Sequence, residues 1–184
     1  MSNLSIAVIV GSLRRDSNNL KLAEGLMRLA PAECAFVRLG IGELPLYNQD
    51  HDANQAESVK RFKAQILAAH GVMFVTAEYN RSIPGVLKNA IDHASRPSGQ
   101  SAWKGKPAGI LGATPGPMGT SMAQQHLRNV LATLDMPTLG QPEAFIQVKE
   151  GLFDAKGEIG VASRAFLEKW MTQYIAWVRL HSAA

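Results

Sequence analysis

The chain has 184 residues, 46% of them hydrophobic, with one cysteine and 19 basic side chains against 15 acidic ones for a net charge of +4. That length supports one domain with its own core. The lone Cys34 argues against a disulfide-stapled fold, and the absence of any apolar run near the ~20 residues of a bilayer span argues against a membrane protein. The basic residues are dispersed, without Lys/Arg runs or interleaved aromatics, so a phosphorylated small molecule is a better partner for the positive field than nucleic acid. With no basic segment leading into an apolar signal core, a cytoplasmic location is expected.

An apolar stretch over residues 5–10 predicts a first strand buried on both faces. It delivers the chain to Gly11-Ser12-Leu13-Arg14-Arg15-Asp16-Ser17-Asn18-Asn19, ahead of a helical pattern running from about Leu20 to Ala30 and stopped by Pro31. Leu20, Ala23, Met27 and Ala30 make its expected inward stripe. The turn reads as a phosphate cradle, because a helix start presents unpaired backbone N–H groups and a positive dipole end. Ser12, Ser17, Asn18 and Asn19 add short donors, and Arg14 or Arg15 adds charge-assisted bonds. Lacking both G-x-G-x-x-G and a Gly-Lys-Ser/Thr ending, the loop suits a terminal phosphomonoester rather than a pyrophosphate.

A second strand is expected at 35–39, with Cys34 buried and inert at its start. Asn54 and Glu57 read as a capping box for a helix carrying Val59, Phe62 and Ile66. A third strand at 72–76 runs into Thr76-Ala77-Glu78-Tyr79-Asn80-Arg81-Ser82-Ile83-Pro84-Gly85, a long polar turn before a helix through Val86, Ala90, Ile91 and Ala94. A fourth strand at 108–113 ends in Thr114-Pro115-Gly116-Pro117-Met118-Gly119-Thr120, where Gly116 and Gly119 let backbone approach a ligand. A helix from Ser121 to Leu134 follows, presenting Leu127, Val130, Leu131 and Leu134, then a fifth strand at about 144–148. The last helix, 161–180, turns Phe166, Leu167, Trp170, Met171, Ile175 and Val178 inward. Five strands alternating with five helices predict an α/β three-layer fold of flavodoxin-like order 2-1-3-4-5, whose ligands bind beyond the strand ends where the order reverses. The five histidines show neither metal-ligand nor triad spacing.

These loops resemble the NADPH-dependent FMN reductase family, and within it the chromate and quinone reductase branch. Gly11-Ser12-Leu13-Arg14 with Ser17 and Asn19 carry the likeness. So do Glu78-Tyr79-Asn80-Arg81-Ser82 with Pro84-Gly85, Leu87-Lys88-Asn89-Ala90-Ile91-Asp92, and the Pro115-Gly116 turn with Gly119. The resemblance implies a flavodoxin-like fold holding FMN that is reduced by NADH or NADPH, and the expected mechanism passes two electrons on to a second substrate in a ping-pong cycle. Quinones, chromate, azo and nitro compounds and free flavin are candidate acceptors. It also implies a homodimer or homotetramer, with the 88–92 segment as a subunit contact. Ser12, Arg14, Ser17 and Asn19 match phosphate-binding positions, while Glu78, Tyr79 and Asn80 match the loop that holds the isoalloxazine ring and Thr114 a further flavin contact. Ala77 stands where many relatives have proline, and Thr114 replaces a common serine. Arg81 is open to either the nucleotide's phosphates or water. The rivals are a flavodoxin-type electron carrier without catalysis of its own and a module that has lost the flavin.

Overall fold

The computed structural model describes residues 4–182. Five parallel strands, β1 (Leu4–Gly11), β2 (Cys34–Arg38), β3 (Gly71–Thr76), β4 (Ala108–Thr114) and β5 (Phe145–Gln147), lie in the order β2-β1-β3-β4-β5. They alternate with α1 (Asn18–Leu29), α2 (Glu57–Ala68), α3 (Gly85–Ala94), α4 (Ser121–Thr133) and α5 (Val161–Ser182). The flavodoxin-like fold expected from the sequence is the fold observed. β1 and β3 run side by side from Ile6 opposite Gly71 to Gly11 opposite Thr76, so the loops after both strands leave the same edge.

Side-chain alternation divides the core. Ile6, Val8 and Val10 of β1 face α1 and α5 with Met73, Val75, Leu22, Leu26, Leu167 and Trp170, while Ala7 and Ile9 face α2, α3 and α4 with Phe74, Phe62, Leu87 and Leu127. Strands covered on both sides need continuous apolar runs, as β1, β3 and β4 have, whereas the edge strand β2, also read from an apolar run, is only partly covered. Gly109 in β4 leaves room for α5: a Cβ there would sit 2.5 Å from the Tyr174 ring, which stacks on Trp170 with centroids 5.3 Å apart. Burial among these groups pushes the Tyr174 phenol well above its ordinary pKa.

Four local expectations are corrected. α1 opens at Asn18 with Ser17 as its cap, which turns Asn19, Leu22, Ala23 and Leu26 inward and leaves Leu20 and Met27 half-buried. The Asn54–Glu57 capping box does not form: Asn54 closes a 3-10 turn over Gln49–Asn54, Ala56 occupies the cap position without a side-chain bond, and Glu57 pairs with Lys60. Phe166 lies on the outer flank of α5, 41% exposed. Cys34 is half-buried rather than buried, and desolvation raises its thiol pKa.

Candidate active site

Ser17 fixes the first wall. Its Oγ accepts the Leu20 N–H at 3.3 Å, while the hydroxyl proton remains available to a ligand. The N–H groups of Asn18 and Asn19 open the helix and have no intrahelical acceptor. Asn19 is only 3% exposed, and its amide is committed elsewhere: Nδ2 donates to the Ala113 carbonyl at 2.9 Å, and the Ala113 N–H donates to Oδ1 at 2.8 Å. Its side chain therefore joins α1 to the end of β4, which leaves its backbone N–H as the donor it could offer at the cavity. Asp16 does not oppose an anion as a free charge, because Lys21 lies 2.5 Å from it and holds its carboxyl below the ordinary range.

The second wall follows β3. Tyr79 and Ser82 exchange both backbone hydrogen bonds at 3.0 Å around Asn80 and Arg81, whose φ values of 51° and 62° place two non-glycine residues in the left-handed region. The Ala123 N–H donates to Glu78 Oε2 at 3.0 Å, and Ser82 Oγ and His126 Nδ1 share a hydrogen bond at 3.0 Å. The third wall follows β4, where the Gly116 N–H donates to Thr114 Oγ1 at 3.4 Å.

These walls enclose a cavity of about 140 Å³ lined by Ser12, Arg14, Ser17, Asn18, Asn19, Ala77, Glu78, Tyr79, Ala113, Thr114 and Pro115. Nine of the residues singled out from the sequence thus come together. Asn80 sits exposed at the turn tip, and Ser82 lines a neighbouring groove with His126 and Lys88. Gly116 lies outside the lining. Gly119 packs on the sheet edge, where a Cβ would come within 2.4 Å of the Phe145 backbone, so its φ of 57° serves the fold. Sequence reasoning missed Ala113, which contributes through its backbone and left no side-chain signal. It also set aside His126, whose placement three residues after Ala123 puts it on the same face of α4.

The NADPH-dependent FMN reductase model matches residues 4–150. The chain belongs to that family. A 2-hydroxy-1,4-benzoquinone reductase from Burkholderia sp. is 52% identical over 177 residues, covering 96% of this chain and 97% of the relative. A quinone reductase from Pseudomonas putida is 46% identical over 180 residues, covering 97% of each. The solved structure of FerB, a flavoenzyme NAD(P)H:(acceptor) oxidoreductase from Paracoccus denitrificans, matches with a TM-score of 0.92 at 43% identity over 97% of this chain and 98% of that one. The protein is accordingly an oxidoreductase of the FMN reductase family, with FMN and NAD(P)H as cofactor and co-substrate.

The residues present fit FMN. A phosphomonoester needs several converging donors, and the Ser17 hydroxyl, the open α1 N–H groups and Arg14 supply them. A flat ring needs an adjoining shelf, which Ala77 to Tyr79 and Thr114 to Pro115 provide. Among the described residues no cluster of three or more His, Cys, Asp or Glu could hold a metal, and no helix is long and apolar enough to cross a membrane.

Proposed function

We propose that this family member reduces quinones with two electrons from NADH or NADPH, the two substrates alternating at one open face. The observation that carries this reading is the asymmetry of the site: Ser17 and Asn19 at the phosphate end are 2% and 3% exposed, whereas Tyr79 at the other end is 51% exposed. One end is built to retain a ligand, and the other to admit visitors. The quinone reductase relatives support the acceptor class.

Bound FMN supplies the hydride-carrying chemistry. The Ser17 hydroxyl, the Asn18 and Asn19 N–H groups and Arg14 bind the phosphate. The Thr114 hydroxyl and the backbone of Ala77 and Glu78 would hold the ring edge, and the exposed Tyr79 ring would border the face open to nicotinamide and quinone. The backbone N–H groups of the loops after β3 and β4 would offer fixed dipoles to negative charge on the bound ring. No side chain is assigned the role of nucleophile or obligatory acid; water at the open face delivers the proton that accompanies each hydride to the quinone oxygen. Assembly as a homodimer or homotetramer and a cytoplasmic location belong to the same reading.

Steady-state rates of the FMN-loaded protein test it, with NADH and NADPH each varied against quinones, chromate, azo and nitro compounds and free flavin. Parallel double-reciprocal lines and preference for quinones are expected. Intersecting lines would overturn the alternating site. Failure to oxidise NAD(P)H without a partner reductase would favour the electron carrier. Light scattering of the eluting protein gives the assembly state.

A further inference from the structure

The turn after β3 is strained, and among the described residues its two left-handed members, Asn80 and Arg81, make no side-chain hydrogen bond of their own. Asn80 and Arg81 both adopt positive φ, a conformation that non-glycine residues keep only where surrounding contacts impose it. The helix opposite has a complementary deficit. The α4 cap residue, Thr120, is itself left-handed at φ 68°, and its Oγ1 accepts from Gln124 Nε2 at 3.0 Å instead of capping the helix. Glu78 meets both needs: its Oε2 accepts the Ala123 N–H in the first turn of α4, and four residues later Ser82 bonds His126 one helical turn further on. The two bonds straddle the Tyr79–Ser82 bridge.

We infer that Glu78 is a positioning residue, whose carboxylate clamps the strained 79–82 turn to the N-terminus of α4 and so sets the gap between the two ring-facing walls. The inference rests on the FMN reductase reading of the site. It gives Glu78 a role distinct from that of a flavin or nicotinamide ligand: what matters is an acceptor atom at the Ala123 N–H, and the negative charge is secondary.

The test uses Glu78→Ala, Glu78→Gln, Ala123→Pro and the Glu78→Ala/Ala123→Pro pair in the FMN-loaded protein. Ala123→Pro deletes the donor at a first-turn position where no intrahelical bond is lost. Glu78→Ala and Ala123→Pro should each lower kcat/KM for NAD(P)H by about tenfold or more, since misplacement alone is that costly. FMN Kd should change far less, because the phosphate end is untouched. The double variant should be no worse than either single one, and Glu78→Gln should regain most of the loss, because its carbonyl oxygen still accepts. The visible circular dichroism of bound FMN should follow the same order without turnover.

Additive losses would overturn the inference, as would wild-type behaviour of Glu78→Ala or a Glu78→Gln variant as damaged as Glu78→Ala. If Ala123→Pro does not fold, the comparison of alanine with glutamine at position 78 decides. A wild-type protein unable to oxidise NAD(P)H would overturn the proposed function, and the dichroism series would still judge the clamp.

Discussion

The side-chain amide of Asn19 pairs with both backbone polar atoms of Ala113, 94 positions away, at 2.8 and 2.9 Å. The bond pair ties the start of α1, where we propose the phosphate binds, to the end of β4, where the proposed ring shelf begins. Asn19→Ala strands a buried N–H and a buried carbonyl, at a cost of about 1–3 kcal/mol each. Urea unfolding of the apoprotein should show that loss, and titration should show weaker FMN binding in parallel. An Asn19→Ala protein of unchanged stability would refute the tie.

Ser17 caps α1, and substitution can separate that duty from the phosphate binding proposed for it. Ser17→Ala should lose about 1 kcal/mol of helix-cap stability and about tenfold in FMN affinity. Ser17→Asp should keep the cap and bind FMN more weakly than the alanine variant, since its charge opposes the phosphate. Thermal midpoints and FMN titration, read together, distinguish these outcomes.

Tyr79 holds its turn through backbone atoms, so removing the ring leaves the turn in place. FMN affinity of Tyr79→Ala should fall less than that of Ser17→Ala, because the phosphate donors are untouched. Turnover or the ranking of acceptors should change instead. Identical kinetics with every acceptor would remove Tyr79 from the reactive face.

Two glycines near the site should respond in opposite ways. A Cβ at Gly112 would lie 2.2 Å from the Thr76 carbonyl oxygen and 2.4 Å from Thr120 Oγ1, so Gly112→Ala should cost about 3 kcal/mol or abolish folding. At Gly116 the Thr114 side chain begins at 3.9 Å, and Gly116→Ala should fold normally. Expression yield and thermal melts of the two variants suffice.

Asp154 gives stability a dependence on acidity. Its Oδ1 accepts the Glu158 N–H at 2.9 Å and the Lys156 N–H at 2.8 Å, and these bonds, that from Glu158 foremost, hold the carboxyl below its ordinary value. A depressed carboxylate stabilises the fold above its unfolded pKa, and the contribution fades as pH falls from there through the folded value. The turn it closes carries Ile159, which packs on the core with α1. Urea midpoints measured from about pH 5 down to about pH 3 should fall less steeply for Asp154→Asn than for wild type.

The layout of strands and helices was legible because a sheet covered on both faces demands unbroken apolar runs, and β1, β3 and β4 supply them. The polar loops between them announced the site for the same reason: nothing in the core requires a Ser17 or a Glu78. The partners of those side chains were not legible. Asn19 and Ala113 meet only after β4 has been laid beside β3, and Glu78 reaches Ala123 through the packing of α4. Such pairings carry no local periodicity. Errors at helix starts share this origin, as Asn54 shows: its sequence spacing to Glu57 suits a cap, while the chain between them turns as a 3-10 helix.

Because the Asn19–Ala113 tie uses protein atoms alone, the spacing between the start of α1 and the end of β4 needs no cofactor to hold it. Loading should then proceed without refolding, and protein stripped of its yellow colour and later resupplied should recover in full, much as a mould keeps its shape between castings.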